Sequence, residues 1–113
     1  VFVKKEDSSK YLEVQSSPLN QPFALMIEKP RELFYAPETL DFKYKNTFTG
    51  DTWKSTIIIA LDAIPGESKT IVGNCFACLG SVPEREYYGL NINVEMNPDY
   101  HRPELFMELG KIK

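Results

Sequence analysis

Histidine is almost missing from this chain of 113 residues, and His101 is the only one. Acid–base and nucleophilic catalysis recruit histidine more than any other side chain. His101 lies between Asp99-Tyr100 and Arg102-Pro103, with no nucleophile elbow or other local catalytic signature around it. A loop position in water is therefore expected. Cysteine is scarce as well: Cys75 and Cys78 are the whole complement, too few for a disulfide-stapled scaffold. No Gly-rich phosphate loop occurs, and no Asn-x-Ser/Thr sequon, because Asn46-Thr47-Phe48 and Asn74-Cys75-Phe76 both fail the pattern. The run Ile57–Leu61 is as long as any uninterrupted apolar stretch, far short of the roughly 20 residues a spanning helix needs. Positive charge is in deficit, with 13 Lys and Arg against 16 Asp and Glu for a net charge of −3. Nucleic acid is not an expected partner, since phosphate binding needs a surplus of cations on one face. Membrane insertion is not expected either.

The composition that remains is that of a folded domain: 42% hydrophobic and 26% charged residues. A single domain over residues 1–113 is expected, a mature chain or a segment of a longer protein. Eight prolines and six glycines divide the sequence into short β-prone runs. Leu40, Phe42 and Tyr44 alternate with Asp41, Lys43 and Lys45, the pattern of a strand with one wet face. Ile57-Ile58-Ile59, within the longest β-prone stretch, reads as a central strand buried on both faces. Lys69–Leu79 makes the next run, and Leu90, Ile92, Val94 and Met96 alternate with Asn91, Asn93 and Glu95. Val1–Val3 and Tyr11–Val14 read as two edge strands at the start. Helical turns are expected at most at 31–35, 84–88 and 102–107. No run between strands is long enough for a crossover helix, which argues against a parallel sheet. The expected fold is an all-β, antiparallel β-sandwich of immunoglobulin-like size with seven to eight short strands. Its expected core holds Leu25, Ile27, Leu40, Phe42, Tyr44, Ile57, Ile59, Leu61, Ile92 and Val94.

Cys75-Phe76-Ala77-Cys78 is the one motif with reactive potential. A redox pair needs a depressed thiol pKa, usually at a helix N-terminus, and here the flanks are β-prone. Zinc would need two further ligands, for which only His101 and Asp99 offer suitable chemistry. A disulfide would need a turn at Phe76-Ala77, because three residues of extended strand span roughly 10 Å. Two reduced, functionally silent thiols are expected, with no metal and no cofactor. The row Asn91, Asn93, Glu95, Asn97 and Asp99 reads as a solvated strand face, or as a set of donors for a sugar or a calcium ion.

The segment Asn46-x-x-Thr49-Gly50-x-x-Trp53 resembles the Asn-Pro-Thr-Thr-Gly-x-x-Trp loop of chagasin-like cysteine-protease inhibitors. That family has an immunoglobulin-like sandwich, and its last binding loop carries Arg-Pro, as Arg102-Pro103 does here. The resemblance implies that Thr49, Gly50 and the Arg102-Pro103 loop enter a protease cleft. Thr47 stands where the family has proline, Glu104 follows Arg102-Pro103 where the family has an aromatic, and no Gly-Gly loop lies between the motifs.

The residues themselves point to a non-enzymatic recognition or assembly module, belonging to a surface, secreted or complex-forming protein. The expected partner is another protein, with a glycan or a cysteine protease as the alternatives. Sandwich loops on a rigid frame are where function concentrates. Asn46–Trp53, Ser81–Tyr88 and Asn97–Glu104 are richest in contact-capable residues. Trp53, Tyr88, Tyr100 and Arg102 are the expected anchors, joined by Thr49, because Trp, Tyr and Arg dominate interface energetics.

Overall fold

The first fifteen residues decide the architecture. In Phe2-Val3 and Tyr11-Leu12-Glu13-Val14, large apolar side chains fall on both faces of the strands that carry them. Such strands are stable only where both faces are covered. The computed structural model describes residues 1–38, 42–92 and 99–113. In it, β1 (Phe2–Lys5) and β2 (Tyr11–Gln15) are the two central strands of a six-stranded antiparallel sheet. The chain continues through β3 (Phe23–Lys29) and β4 (Leu33–Tyr35), which form one edge. It then leaves the sheet for a hairpin of β5 (Phe42–Thr49) and β6 (Thr52–Ile59). It returns as β7 (Thr70–Asn74), which pairs with β1. A second hairpin follows, β8 (Phe76–Leu79) with β9 (Glu86–Gly89). After a 3-10 turn at Pro103–Leu105, β10 (Met107–Lys111) closes the other edge against β7.

The two faces of the central sheet are covered differently. Val3, Leu12 and Val14 point to one face and pack with Ile64, Ala24, Met26 and Ile71 against Phe42, Ile57 and Ile59 of the first hairpin. Phe2, Tyr11 and Ile27 point to the other, where Leu25, Phe76, Tyr100 and Phe106 complete an aromatic-rich cluster. Leu12 and Val14 are fully buried, and each such side chain contributes about 1.5–3 kcal/mol. The result is all-β and antiparallel, as the alternation predicts, with a layered, sandwich-like packing. The described strands number ten, grouped six, two and two.

Several expectations are corrected. The segments read as edge strands are the centre of the sheet, because their apolar residues occupy both faces rather than one. Ile57–Ile59 is not a central strand: it belongs to a two-stranded hairpin, and Ile58 points outward and is exposed. Leu61 and Ile92 are exposed rather than core, since each falls outside a strand where a turn carries the chain away from the sheet. Leu25, Ile27, Phe42, Ile57 and Ile59 do pack in the interior, and Tyr44 is half-buried. Leu40 and Val94 lie outside the described residues. Asn46–Trp53 is mostly strand, with only Gly50-Asp51 as its turn. Gly50 has φ +62° at the first central position, the requirement of a II′ hairpin turn. Residues 31–35 hold a turn and β4, and 84–88 run into β9, whereas 102–107 does contain one 3-10 turn.

The run Lys69–Leu79 divides at Cys75 for an identifiable reason. The buried Asn74 side chain takes the Cys75 N–H at 3.0 Å and the Asn91 N–H at 3.1 Å on its Oδ1. Its Nδ2 donates to the Asn91 carbonyl at 2.6 Å. The backbone groups around Cys75 are thereby diverted from the ladder, and the chain turns out of the sheet into β8. At the opposite end of β1, the Asp7 carboxylate accepts the backbone N–H groups of Glu67 and Ser68 at 2.9–3.0 Å.

Two predictions follow from these contacts. Gly73 faces Val3 across the ladder, and a β-carbon there would meet the Phe2 carbonyl oxygen and the Leu109 side chain. Gly73→Ala is expected to destabilise the protein by about 1–3 kcal/mol in urea unfolding. Asp7 is held below the ordinary carboxyl value of 3.8, chiefly by the Ser68 and Glu67 backbone donors. Its contribution is therefore complete above about pH 3.8 and lost as pH falls through its lower folded value. An Asp7→Ala variant should melt below wild type at pH 7, and the gap should close in acid.

Candidate binding surface

The second face of the central sheet is roofed by the segment Asp99–Phe106, and Phe2 is the ring it sits on. His101 stacks on Phe2 with centroids 5.0 Å apart, and Phe76 packs on it at 5.5 Å. Phe106 meets Tyr11 edge-on at 5.3 Å, and Tyr100 stacks on Phe76 at 4.5 Å. Offset and edge-on pairs of this kind add about 0.5–1.5 kcal/mol each beyond their area. Polar links fasten the same segment. Arg31 reaches Asp99 at 2.6 Å, Asn91 donates to the Leu105 carbonyl at 2.8 Å, and the His101 N–H bonds to Asp99.

His101 is thus not a loop histidine in water. The buried Tyr11 hydroxyl is hydrogen-bonded to its Nδ1 at 2.7 Å. Nε2 faces the buried Glu13 carboxylate at 3.7 Å, and Gln15 donates to the other Glu13 oxygen at 2.5 Å. Burial, and next the Glu13 charge, push the Tyr11 phenol far above its ordinary value of 10. The hydroxyl therefore stays protonated. Chemically this is an anchored hydrogen-bond chain under an aromatic roof, with its histidine used to hold the segment down.

Beyond this roof stands the β8–β9 hairpin. Tyr87 lies 6.4 Å from Tyr100, ring to ring, and the Cys78 sulfur lies 3.1 Å from the Tyr100 hydroxyl. Desolvation, followed by the Cys78 contact, raises the Tyr100 phenol well above its usual range. Tyr88 projects from the opposite side of the hairpin, and its hydroxyl donates to Glu86 at 2.7 Å. Both cysteines are free, Cys75 half-buried and Cys78 exposed. Leu79, Val82, Tyr87, Tyr88, Leu90 and Ile92 are all exposed, Val82 the most at 76%. Each strand of the hairpin is only four residues long, so it cannot bury its own outward apolar side chains.

The expected anchors divide between two places. Tyr88, Tyr100 and Arg102 belong to this side, where the Arg102 guanidinium holds Glu104 at 2.6 Å. The Glu104 backbone N–H and that guanidinium keep its carboxyl below the usual range. Thr49 and Trp53 belong to the β5–β6 hairpin, which packs on the other face of the sheet. The Trp53 Nε1 donates to Asn46 Oδ1 at 3.1 Å, and Asn46 Nδ2 in turn bonds to the Ser17 carbonyl and to Asn20. Trp53 is therefore half-buried and structurally engaged. Of the polar row, Asn91 is committed to Leu105, and Asp99 to Arg31 and His101. Asn93, Glu95 and Asn97 lie outside the described residues.

Sequence reasoning reached Val82 and Tyr87 only as members of the Ser81–Tyr88 loop, not as anchors, and missed Leu79 and the His101–Tyr11–Glu13 chain. Val82, Tyr87 and Leu79 carried a signal, since apolar residues closely interrupted by Gly80, Pro83 and Gly89 cannot be buried in strands so short. The chain carried none, because its members lie up to 90 residues apart. Searches against protein-family models, curated proteins and solved structures find no match.

Tyr11→Phe is expected to lower stability by about 0.5–1.5 kcal/mol, the usual worth of one hydrogen bond, in chemical denaturation. His101→Ala should cost more, because it also removes the ring stacked on Phe2. Equal costs for the two variants would show that the stack contributes nothing.

Proposed function

We propose that this chain is a non-enzymatic protein-recognition module whose contact surface is the β8–β9 hairpin with its flank at Leu90–Ile92. The observation that carries this reading is the concentration of exposed large apolar residues between Leu79 and Ile92. Exposed apolar side chains concentrated on one short hairpin are characteristic of interaction sites. Tyrosines among it supply broad contact area and a polar tip at low entropy cost. Tyr88 and Tyr100, two of the residues expected as anchors, lie on or against this hairpin. The rigid roof beneath supports it, because Tyr100 and Phe76 tie the hairpin to the central sheet. The same geometry favours recognition over catalysis, since the single histidine is occupied in holding the roof.

The glycan reading loses support from Asn91, whose side-chain amide is already spent on a backbone carbonyl. The protease-inhibitor reading needs Thr49 and Arg102 to act together, and their elements pack on opposite faces of the sheet.

The test uses the immobilised protein and a native extract, with captured proteins identified and quantified. A Tyr87→Ser/Tyr88→Ser variant, shown folded by circular dichroism, should lose at least about tenfold in capture of the specific partner, the scale of a lost interface anchor. A Trp53→Ala variant should retain it. Undiminished capture by the tyrosine variant would overturn the assignment of the surface.

A further inference from the structure

We propose that the outward face of the β5–β6 hairpin is a binding site for a linear acidic polysaccharide. The hairpin lays its inner face on the central sheet through Phe42, Ile57 and Ile59, so the alternate side chains of both strands point to solvent. On β5 these are Lys43, Lys45, Thr47 and Thr49, all exposed. On β6 the exposed Thr56 stands opposite Lys45, and the exposed Lys54 opposite Thr47. Lys43 and Lys45 lie two residues apart on one strand, a step of about 7 Å. Lys45 and Lys54 are diagonal neighbours across the ladder, about 7–8 Å apart. The three lysines thus form one connected row along the ribbon. Among the described residues none of the three pairs with a carboxylate, whereas Lys10, Lys29, Arg31 and Lys111 each hold one. No acidic residue occurs within 43–49 or 52–58. Asp51 sits in the turn beyond the Thr49–Thr52 pair, and Asp41 lies outside the described residues. In a chain of net charge −3, this face is a local surplus of cations.

The chemistry of the face selects the occupant. Unpaired cations in a row attract a polyanion. A folded protein is disfavoured, because interfaces deplete lysine and take their binding energy from Trp, Tyr and Arg, none of which points outward here. Single-stranded nucleic acid needs aromatic rings to stack on, and duplexes are read by Arg, Asn or Gln at the base edges. The outward face has none of these. A membrane surface needs an apolar stripe, and Ile58, 62% exposed, is the one apolar side chain among the outward positions. Threonine hydroxyls, by contrast, exchange hydrogen bonds with sugar hydroxyls and with the oxygens of acidic groups, and each ammonium adds three donors. From Lys43 to Thr49 the ribbon runs about 20 Å with ammonium and hydroxyl groups side by side. A chain that carries both sugar hydroxyls and acidic groups matches that order. This surface is separate from the polar row at Asn91 and from the apolar β8–β9 hairpin, and the inference is independent of both.

Isothermal titration of the intact chain with a heparin dodecasaccharide at low ionic strength is the test. Saturable binding is expected, and log affinity should fall against log salt with a slope of about −2 to −3, the counterions that three lysines displace. Lys43→Glu/Lys45→Glu/Lys54→Glu should bind at least about tenfold more weakly, with an unchanged circular dichroism spectrum. The same reversal at Lys69, Lys111 and Lys113, away from the ribbon, should cost clearly less. Should the glutamate variant not fold, Lys43→Gln/Lys45→Gln/Lys54→Gln should show the same loss without adding negative charge. A short DNA duplex and phosphatidylserine vesicles should each bind more weakly than heparin, and neutral dextran not at all. The Tyr87→Ser/Tyr88→Ser variant should bind heparin like wild type, which separates this site from the recognition surface. Absence of saturable heparin binding, equal losses from the two charge reversals, or a duplex or vesicle bound as tightly as heparin would overturn the assignment.

Discussion

Everything in this structure depends on the phenyl ring of Phe2 being buried at the middle of the sheet. It is 4% exposed and touches the rings of Tyr11, Phe76, His101 and Phe106. Its neighbour Val3 does the equivalent work on the opposite face, within the cluster that receives the first hairpin. A strand of four residues thus nucleates packing in both directions. Covering two faces of one sheet takes the β5–β6 hairpin on one side and Phe76 with the Asp99–Phe106 segment on the other. Loss of either cover would leave half of the central strands facing water.

The polar groups follow the same geometry. Glu13, beside Tyr11 on β2, is 5% exposed, and it is tolerated there because Gln15 and His101 flank its two oxygens. Asn74 is entirely buried and spends its side-chain amide on the backbone at Cys75 and Asn91. Satisfied groups of this kind cost little, whereas an unpaired one would cost about 1–3 kcal/mol. They also add direction that apolar packing lacks. Apolar contact alone would let the Asp99–Phe106 segment slide, and the Asn91–Leu105 and Arg31–Asp99 bonds fix its position.

Strand class was readable from the sequence because it is local. Alternation at Phe42–Tyr44 and β-branched density at Ile57–Ile59 both mark strands correctly. Strand position was not, because it rests on partners distant in sequence. Val1–Val3 looks peripheral by its length, yet β1 is held between β2 and β7, with Lys5 paired to Ile71. Burial errors share that origin. Ile92 has the alternation of a core residue, but the Asn74 side chain draws its neighbour Asn91 out of any ladder. The candidate surface was half legible: Tyr88 and Tyr100 stand out by type, while the roles of Tyr87 and His101 come from contacts across the fold.

The insertion of β7 between β1 and β10 has a consequence for how the molecule is made. Strands β1 to β4 can assemble as a meander from the first 35 residues, since each pairs with the next. The inner edge of that meander is β1 itself, and it stays open until residues 70–74 arrive. At about 5–20 residues per second, a nascent chain holds this edge unpaired for some seconds. During that interval Phe2 lies at an open margin without Phe76, Tyr100 and Phe106 to cover it, and this sticky surface is transient rather than native. The protein's greatest exposure to misassembly therefore belongs to its synthesis, at the strand that later becomes its best-protected part.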